Sequence, residues 1–316
     1  MRIVFFGTSA FSAAILCALH KLSYDIVGIV TRPDRPQGRN LFLKPSAVKE
    51  YALESLPHVP VFQPEKASTE EFAEKLRNLA PDLFLVVAYG EILRQNILSI
   101  PKKACINIHT SLLPKYRGAS PIQAALLQGD NVTGVTFMEM ALKMDAGDIL
   151  KQESVCIPSD MTVKELEEAL CQTAIQALPE FLQNFDAYYL QKKPQDDSLA
   201  TFVSKITPAD CIPDWNRSAE EIHNQIRALS PYPGVFIQIR LGDEIKRLKI
   251  LASKVEEGKI ESMQLPGSLY VDKFNIKISC QKGVLSLLQV QLEGKKSLKT
   301  EEFLRGMSKH FSLQNK

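Results

Sequence analysis

Four short apolar runs, at residues 3–6, 26–31, 83–88 and 104–109, are separated by segments with helical spacing. This alternation constrains the fold more than any other feature of the chain. Runs of this length with few polar side chains suit strands covered on both faces, so the pattern predicts a mostly parallel sheet with flanking helices. Phe11 to Leu19 reads as the helix after the first strand. Ser68 with Glu71 forms a capping box ahead of Phe72, Leu76 and Leu79. Pro121 suits the first position of a helix that Gly129-Asp130 stops. Residues 133–140 and 149–157 read as two further strands, and a second capping box, Thr162 with Glu165, opens a helix carrying Leu166, Leu170, Ala174 and Leu178.

The pattern changes after residue 190. Residues 191–198 are polar and contain Pro194, the composition of a linker. Beyond Pro208 one helix, at 218–229, precedes only short strands, at 235–240, 247–253, 268–271, 275–279 and 284–291. Short strands with glycine punctuation predict a small barrel of the OB type. The expected organisation is therefore a Rossmann-like α/β domain at 1–190, a linker at 191–207 and an OB-like β-barrel domain at 208–316; a length of 316 residues suits two such cores.

Charge and cysteine usage narrow the function classes. Residues 208–316 carry 17 Lys and Arg against 13 Asp and Glu, whereas residues 1–207 carry 21 against 23. The asymmetry is mild, and surface solvation alone accounts for it. Six scattered cysteines, without a C-x-x-C pair, read as reduced core residues, and no metal site is expected. The opening MRIVFFG reads as a buried strand and not a secretory leader, and no apolar run approaches the roughly 20 residues that span a bilayer. A cytoplasmic protein without membrane attachment is expected.

The residues that carry chemistry gather in the central block. Gly7 occupies the place of a dinucleotide fingerprint, but the second glycine is missing, so Gly7-Thr8-Ser9 reads as a strand-to-helix turn. Asn107 and His109 are two apart in a strand and share a face. A lone histidine is more often a hydrogen-bonded core residue than a catalyst. Here it stands at the carboxyl end of a buried strand, where α/β sheets bind ligands, with Ser111 and Arg117 close behind. An amide that polarises a carbonyl, an imidazole that moves protons and a nearby carboxylate are what acyl transfer needs without a covalent nucleophile. Asp145 and Asp148 both qualify as that carboxylate, and spacing alone does not choose between them. Loop 32–49 carries Arg32, Arg35, Arg39, Lys44 and Lys49 and suits phosphate contact or plain solvation.

Taken together these residues resemble the methionyl-tRNA formyltransferase family. The likeness rests on the opening Ile3 to Thr8, the loop Pro33 to Arg39, Val61-Phe62-Gln63-Pro64, Val86 to Gly90, and Ser111 to Pro114 with Arg117-Gly118-Ala119. It extends through Pro121-Ile122-Gln123, Gly134-Val135-Thr136, Asp145 to Asp148, Asp214-Trp215 and Gly294-Lys295-Lys296. The resemblance implies formyl transfer from 10-formyltetrahydrofolate to methionyl initiator tRNA, with Asn107, His109 and Asp145 catalytic and Asp145 chosen over Asp148. It assigns Ser111, Leu112, Leu113 and Pro114, with Tyr89 and Gly90, to the folate donor. Arg39, Leu41, Phe42 and Lys44 would approach the acceptor end of the tRNA, and the barrel would hold its stem, in a monomer. Three positions depart from the family: Thr110 stands where glycine is usual, and Leu41 and Phe42 where many members carry lysines. A formyltransferase acting on a small amine, such as glycinamide ribonucleotide or an amino sugar nucleotide, is the competing expectation.

Overall fold

β1 (Arg2–Gly7) is buried along almost its whole length, and its sequence RIVFFG leaves only Arg2 to solvent. The structure is a computed structural model that describes residues 1–37, 42–256, 265–306 and 311–313. The chain divides into two units: one holds Met1–Pro121, Val132–Cys156 and Glu167–Val203, the other Ile122–Asn131, Ile157–Leu166 and Ser204–Lys316.

In the first unit β1 is flanked by β2 (Asp25–Val30) on one side. A small hairpin of β3 (Arg35–Gln37) and β4 (Phe42–Lys44) follows, then β5 (Val61–Phe62) on the sheet edge. The chain then crosses to the other side of β1 for β6 (Leu83–Val87) and β7 (Ala104–His109). Past the two-residue β8 (Arg117–Gly118) come β9 (Val132–Glu139) and β10 (Ile149–Cys156), both antiparallel to their neighbours. The sheet order is β10-β9-β7-β6-β1-β2-β5, so the strand order reverses between β1 and β6. That reversal opens a crevice at the carboxyl ends of the strands, the usual ligand position of such sheets.

Two faces of the sheet are covered. Val4, Phe6, Phe84 and Val86 pack with Phe72, Ala73 and Leu76 of the helix Glu70–Asn78, while the alternate residues Ile3 and Phe5 are buried as well. Each such phenylalanine contributes about 1.5–3 kcal/mol by leaving water. The helices from residue 1 to 190 are α1 (Ala10–Lys21), α2 (Ala47–Ser55), α3 (Glu70–Asn78), α4 (Gln95–Leu98), α5 (Pro121–Leu127), α6 (Val163–Gln183) and α7 (Phe185–Leu190), of which α5 falls almost wholly in the second unit. Leu166, Leu170, Ala174 and Leu178 of α6 are fully buried, as their four-residue spacing requires. A Cβ on Gly7 would lie 2.6 Å from that of Ser12, so the glycine lets α1 start hard against the strand.

The second unit is built on an antiparallel sheet. α8 (Ala219–Leu229) opens on a capping box between Ser218 and Glu221. The strands are β12 (Val235–Leu241), β13 (Glu244–Glu256), β14 (Leu269–Val271), β15 (Ile276–Ser279), β16 (Val284–Leu292), β17 (Ser297–Lys299) and β18 (Phe311–Leu313), with α9 (Thr300–Arg305) before the last. Their order is β14-β15-β16-β13-β12-β18, with β17 also on β16. Register shifts between Ile250 and Ser253 bend β13, and the curled sheet is the OB-like barrel expected from the sequence.

Four local expectations need correction. α3 is capped by Thr69, whose hydroxyl accepts the Phe72 N–H, and not by Ser68, which instead accepts the Arg94 N–H. Residues 35–37 and 42–44 form a hairpin despite Pro36, which sits where a two-stranded ribbon tolerates a missing donor. Cys156 is exposed and Cys17 half-buried, because Cys156 ends an edge strand. The polar segment after residue 190 is ordered on the first unit, with a 3-10 turn at Asp197–Leu199 and β11 (Phe202–Val203) parallel to β8.

Candidate active site

β7 delivers Asn107 and His109 to the carboxyl edge of the sheet on one face, while the alternate residues Ile106 and Ile108 are buried on the other. Asn107 lies opposite Val86 of β6 and Met138 of β9, and His109 opposite Thr136. His109 is 7% exposed, and its Nε2 stands 3.0 Å from the carbonyl oxygen of Tyr116. With that carbonyl as acceptor the ring carries its proton on Nε2, which leaves Nδ1 to face Oδ2 of Asp145 at 3.8 Å.

Asp145 sits in the turn between β9 and β10 with φ +48°, a conformation unusual for a residue with a Cβ. Its Oδ2 accepts the Gly118 N–H at 2.8 Å. Asp148, the competing carboxylate, lies 3.6 Å from Lys192. The geometry therefore sets Asp145, and not Asp148, against the imidazole.

The loop after β7 is held from below. Thr136 Oγ1 donates to Ser111 O at 2.6 Å and accepts the Leu113 N–H at 3.2 Å. Gln152 donates to Leu113 O and to Thr136 Oγ1, both at 2.9 Å. Ser111 Oγ donates to Lys115 O at 2.6 Å, and the Leu113–Pro114 peptide is cis. Ser111 and Leu113 are thus built into the loop, whereas Leu112 and Pro114 are half-buried and available to a ligand. Across the crevice Ala88 takes φ +43° and is exposed, and a Cβ on Gly90 would meet nothing within 4 Å. The rim at 88–90 is therefore open backbone, able to border a flat ring.

Tyr89 departs from its expected placement. The left-handed turn at Ala88 directs the Tyr89 ring into the core, edge-on to Phe6 at 5.5 Å, with its hydroxyl buried and without a hydrogen bond among the described residues. Burial pushes the phenol well above its usual range. Any contact from this residue to a ligand falls to its backbone.

Of the residues expected at the nucleic-acid end, Arg39 and Leu41 lie outside the described residues. Phe42 and Lys44 are in β4, with Lys44 exposed. No hydrogen bond or ion pair among the described residues joins Lys44 to the His109 group. A polar network that sequence reading missed fixes the root of this hairpin. Lys49 Nζ lies 2.7 Å from Asp34, Gln63 donates to Asp34 and to Arg32 O, and Arg32 pairs with Glu91 at 2.8 Å. Bonds from Lys49 and Gln63 hold the Asp34 carboxyl below the usual carboxylate range. Gln63 lies within the Val61 to Pro64 motif, the signal that pointed here. Arg117, which the sequence places close behind His109, is fully buried and bonded to Gln195 and Asp197, partners that sequence reading did not single out. Among the described residues no cluster of three metal-ligating side chains occurs, and no helix is long and apolar enough to cross a membrane.

Comparison with known proteins gives this geometry a family. Residues 1–182 match the formyl transferase family model and residues 205–308 its C-terminal domain. A methionyl-tRNA formyltransferase of Protochlamydia amoebophila is 46% identical over 311 residues, covering 98% of this chain and 96% of the relative. One of Clostridium novyi is 40% identical, with 98% and 97% covered, and one of Chlamydia muridarum 38%, with 99% and 98%. Among solved structures, a sugar 3N-formyl transferase crystallised with dTDP and 5-N-formyl-THF superposes with TM-score 0.66 at 18% identity, covering 94% of this chain and 99% of that one. HypX of Aquifex aeolicus, in complex with tetrahydrofolic acid, gives 0.62 at 16%, covering 96% and 47%. At such low identity these two share the fold. By near full-length identity, the chain belongs to the methionyl-tRNA formyltransferase family.

Proposed function

We propose that this protein transfers the formyl group of 10-formyltetrahydrofolate to the α-amino group of methionine esterified to initiator tRNA. The observation that carries the reading is the placement of the Asp145 carboxylate against the His109 imidazole, beside Asn107, at the carboxyl edge of the sheet. The folate supplies an activated formyl carbon, which the amine attacks directly. Asn107 donates its amide N–H to the formyl oxygen as negative charge develops there, and His109 stands beside it as a proton carrier. Asp145 orients the imidazole, and the 3.8 Å separation closes when substrates are bound. His109, Asp145 and a water carry the proton from the amine to the departing folate nitrogen. Leu112 and Pro114 face the folate from one side, and the backbone of Tyr89 and Gly90 borders it from the other.

The tRNA half of the reading rests on both units, each taken by itself. Arg39, Leu41, Phe42 and Lys44 approach the acceptor end. In the barrel, Arg247 lies over the ring of Phe236 at 5.3 Å and Lys249 over that of Tyr232 at 5.9 Å. The β12–β13 register puts Phe236, Gln238 and Arg240 on one face with Lys249 and Arg247. Cations interleaved with rings are how proteins hold a nucleic-acid backbone and its bases.

The test is formylation of methionyl initiator tRNA with 10-formyltetrahydrofolate, set beside elongator methionyl-tRNA, glycinamide ribonucleotide and an amino sugar nucleotide. Rapid transfer to the initiator alone supports the reading. Transfer to a small amine in its place would keep the Asn107, His109 and Asp145 site and overturn the RNA substrate.

A further inference from the structure

Gln195 spends its whole side chain on two loops that are distant in sequence. Its Nε2 donates to the carbonyl oxygens of Asp145 at 2.9 Å and Gly147 at 2.8 Å. Its Oε1 accepts from Nε of Arg117 at 3.0 Å and Nη2 at 2.8 Å. Arg117 is fully buried, and its Nη1 reaches Asp197 at 2.7 Å. Next to Arg117 in the chain, Tyr116 offers its carbonyl to His109, and Gly118 donates its N–H to Asp145. One amide therefore ties the strand that orients the imidazole to the turn that carries the carboxylate.

The turn needs such a tie. Asp145 is held at φ +48°, where its own Cβ opposes the conformation, so the backbone at 145–147 stays there only while outside bonds fix it. The Gln195 amide supplies two of them. The choice of residue type carries information as well. If the task were to neutralise buried Arg117, a glutamate would serve better, because a charge-assisted pair is stronger than a bond to a neutral amide. Glutamate has no N–H, however, and would turn a carboxylate oxygen toward two carbonyls. Only an amide satisfies both sides, and a network with every member satisfied specifies one geometry.

We propose that Gln195 is a positioning residue for formyl transfer, setting the 145–147 backbone so that the Asp145 carboxylate faces His109. The proposal rests on the catalytic reading of that pair. The neighbouring strap supports it: Thr201 Oγ1 accepts the Tyr116 N–H at 2.8 Å, Thr201 O accepts that of Arg117 and Val203 O that of Ala119, so the segment bearing Gln195 is anchored along the whole loop.

The experiment compares Gln195→Glu, Gln195→Leu, Asp145→Ala and the Gln195→Glu/Asp145→Ala double variant in the full chain, by steady-state formylation and thermal unfolding. Gln195→Glu keeps an acceptor for Arg117 and isolates the loss of the two donors. Both single Gln195 variants are expected to lower kcat by about 10–100-fold, the cost of misplacing a reacting group, with KM for both substrates little changed. Because Gln195 acts through Asp145, the double variant is expected to be no slower than Asp145→Ala alone. A Gln195→Glu enzyme with parental kcat, beside an inactive Asp145→Ala, would overturn the proposal and leave the catalytic reading standing. Losses that multiply in the double variant would also overturn it. An Asp145→Ala enzyme with parental kcat would bring down the catalytic reading and, with it, this inference.

Discussion

Nδ1 of His109 and Oδ2 of Asp145 stand 3.8 Å apart, beyond hydrogen-bond length, while that same oxygen accepts the Gly118 N–H at 2.8 Å. The carboxylate is anchored on one side and one short step from the imidazole on the other. Asp145→Asn keeps an oxygen for Gly118 and so preserves the turn, but it removes the negative charge that complements a protonated imidazole. kcat should fall on the order of 10²–10⁴-fold, the usual scale of acid–base assistance, with the melting temperature little moved. Steady-state formylation checks this, and a loss under tenfold would remove Asp145 from the chemistry.

Asn107 gives a cleaner test of charge stabilisation, because it has no acid–base function. Asn107→Ala should lower kcat by on the order of 10²–10³, the cost of losing one donor to a developing oxyanion. Binding of the folate, measured separately by titration, should change little. A variant that lost folate affinity and kept its rate at saturation would show Asn107 to be a ground-state binding group.

Gly147 tests the turn from its other end. A Cβ there would lie 1.8 Å from the carbonyl oxygen of Glu139, and neither atom belongs to a flexible side chain. Gly147→Ala should cost about 1–3 kcal/mol of stability, as overpacking does. Its effect on kcat should exceed that of a surface substitution of equal stability cost, because the displaced backbone carries Asp145. Denaturation and kinetics on the same preparation compare the two losses.

The strand holding Asn107 and His109 was legible because an unbroken apolar run beside a polar pair admits little else than a buried strand, and β7 has the expected bounds, Ala104–His109. Spacing did not choose between Asp145 and Asp148, since both stand in one turn; the family resemblance chose Asp145, and the folded chain shows Lys192 near Asp148. Thr69 and Ser68 both suit a helix cap; the choice depends on Arg94, whose N–H recruits Ser68 from 26 residues away. Arg117 is legible as a neighbour of His109, but its partners Gln195 and Asp197 stand 78 and 80 residues later. Long-range polar bonds leave no local period in a sequence, so the site's support was less legible than its reacting groups.

The barrel face yields a prediction in salt dependence. Arg247 and Lys249 each sit over a ring, on one face of β12 and β13. Arg247→Ala and Lys249→Ala should each weaken tRNA binding and reduce the slope of log affinity against log salt by about 1, with kcat at saturating tRNA unchanged. Filter-binding or anisotropy titrations at several salt concentrations measure this. Parental slopes in both variants would move the RNA to another surface.

The capping box of α8 sets an acid-dependent part of the stability. Bonds from the Ser218 backbone and hydroxyl, followed by Arg217, pull the Glu221 carboxyl from its ordinary 4.5 down to about 2. A carboxylate with a depressed folded value binds its proton more readily unfolded. Its contribution is therefore complete above about pH 4.5 and is lost as pH falls toward 2. The side chain is 48% exposed, so solvent screening keeps the contribution modest, at about 1 kcal/mol. Glu221→Gln retains an oxygen for the Ser218 N–H but does not titrate. At pH 7 the variant should be less stable than the parent by about that amount, and the two should converge near pH 2. Urea unfolding of both proteins across this range measures the difference, and a gap of constant size at every pH would assign the loss to packing and not to charge.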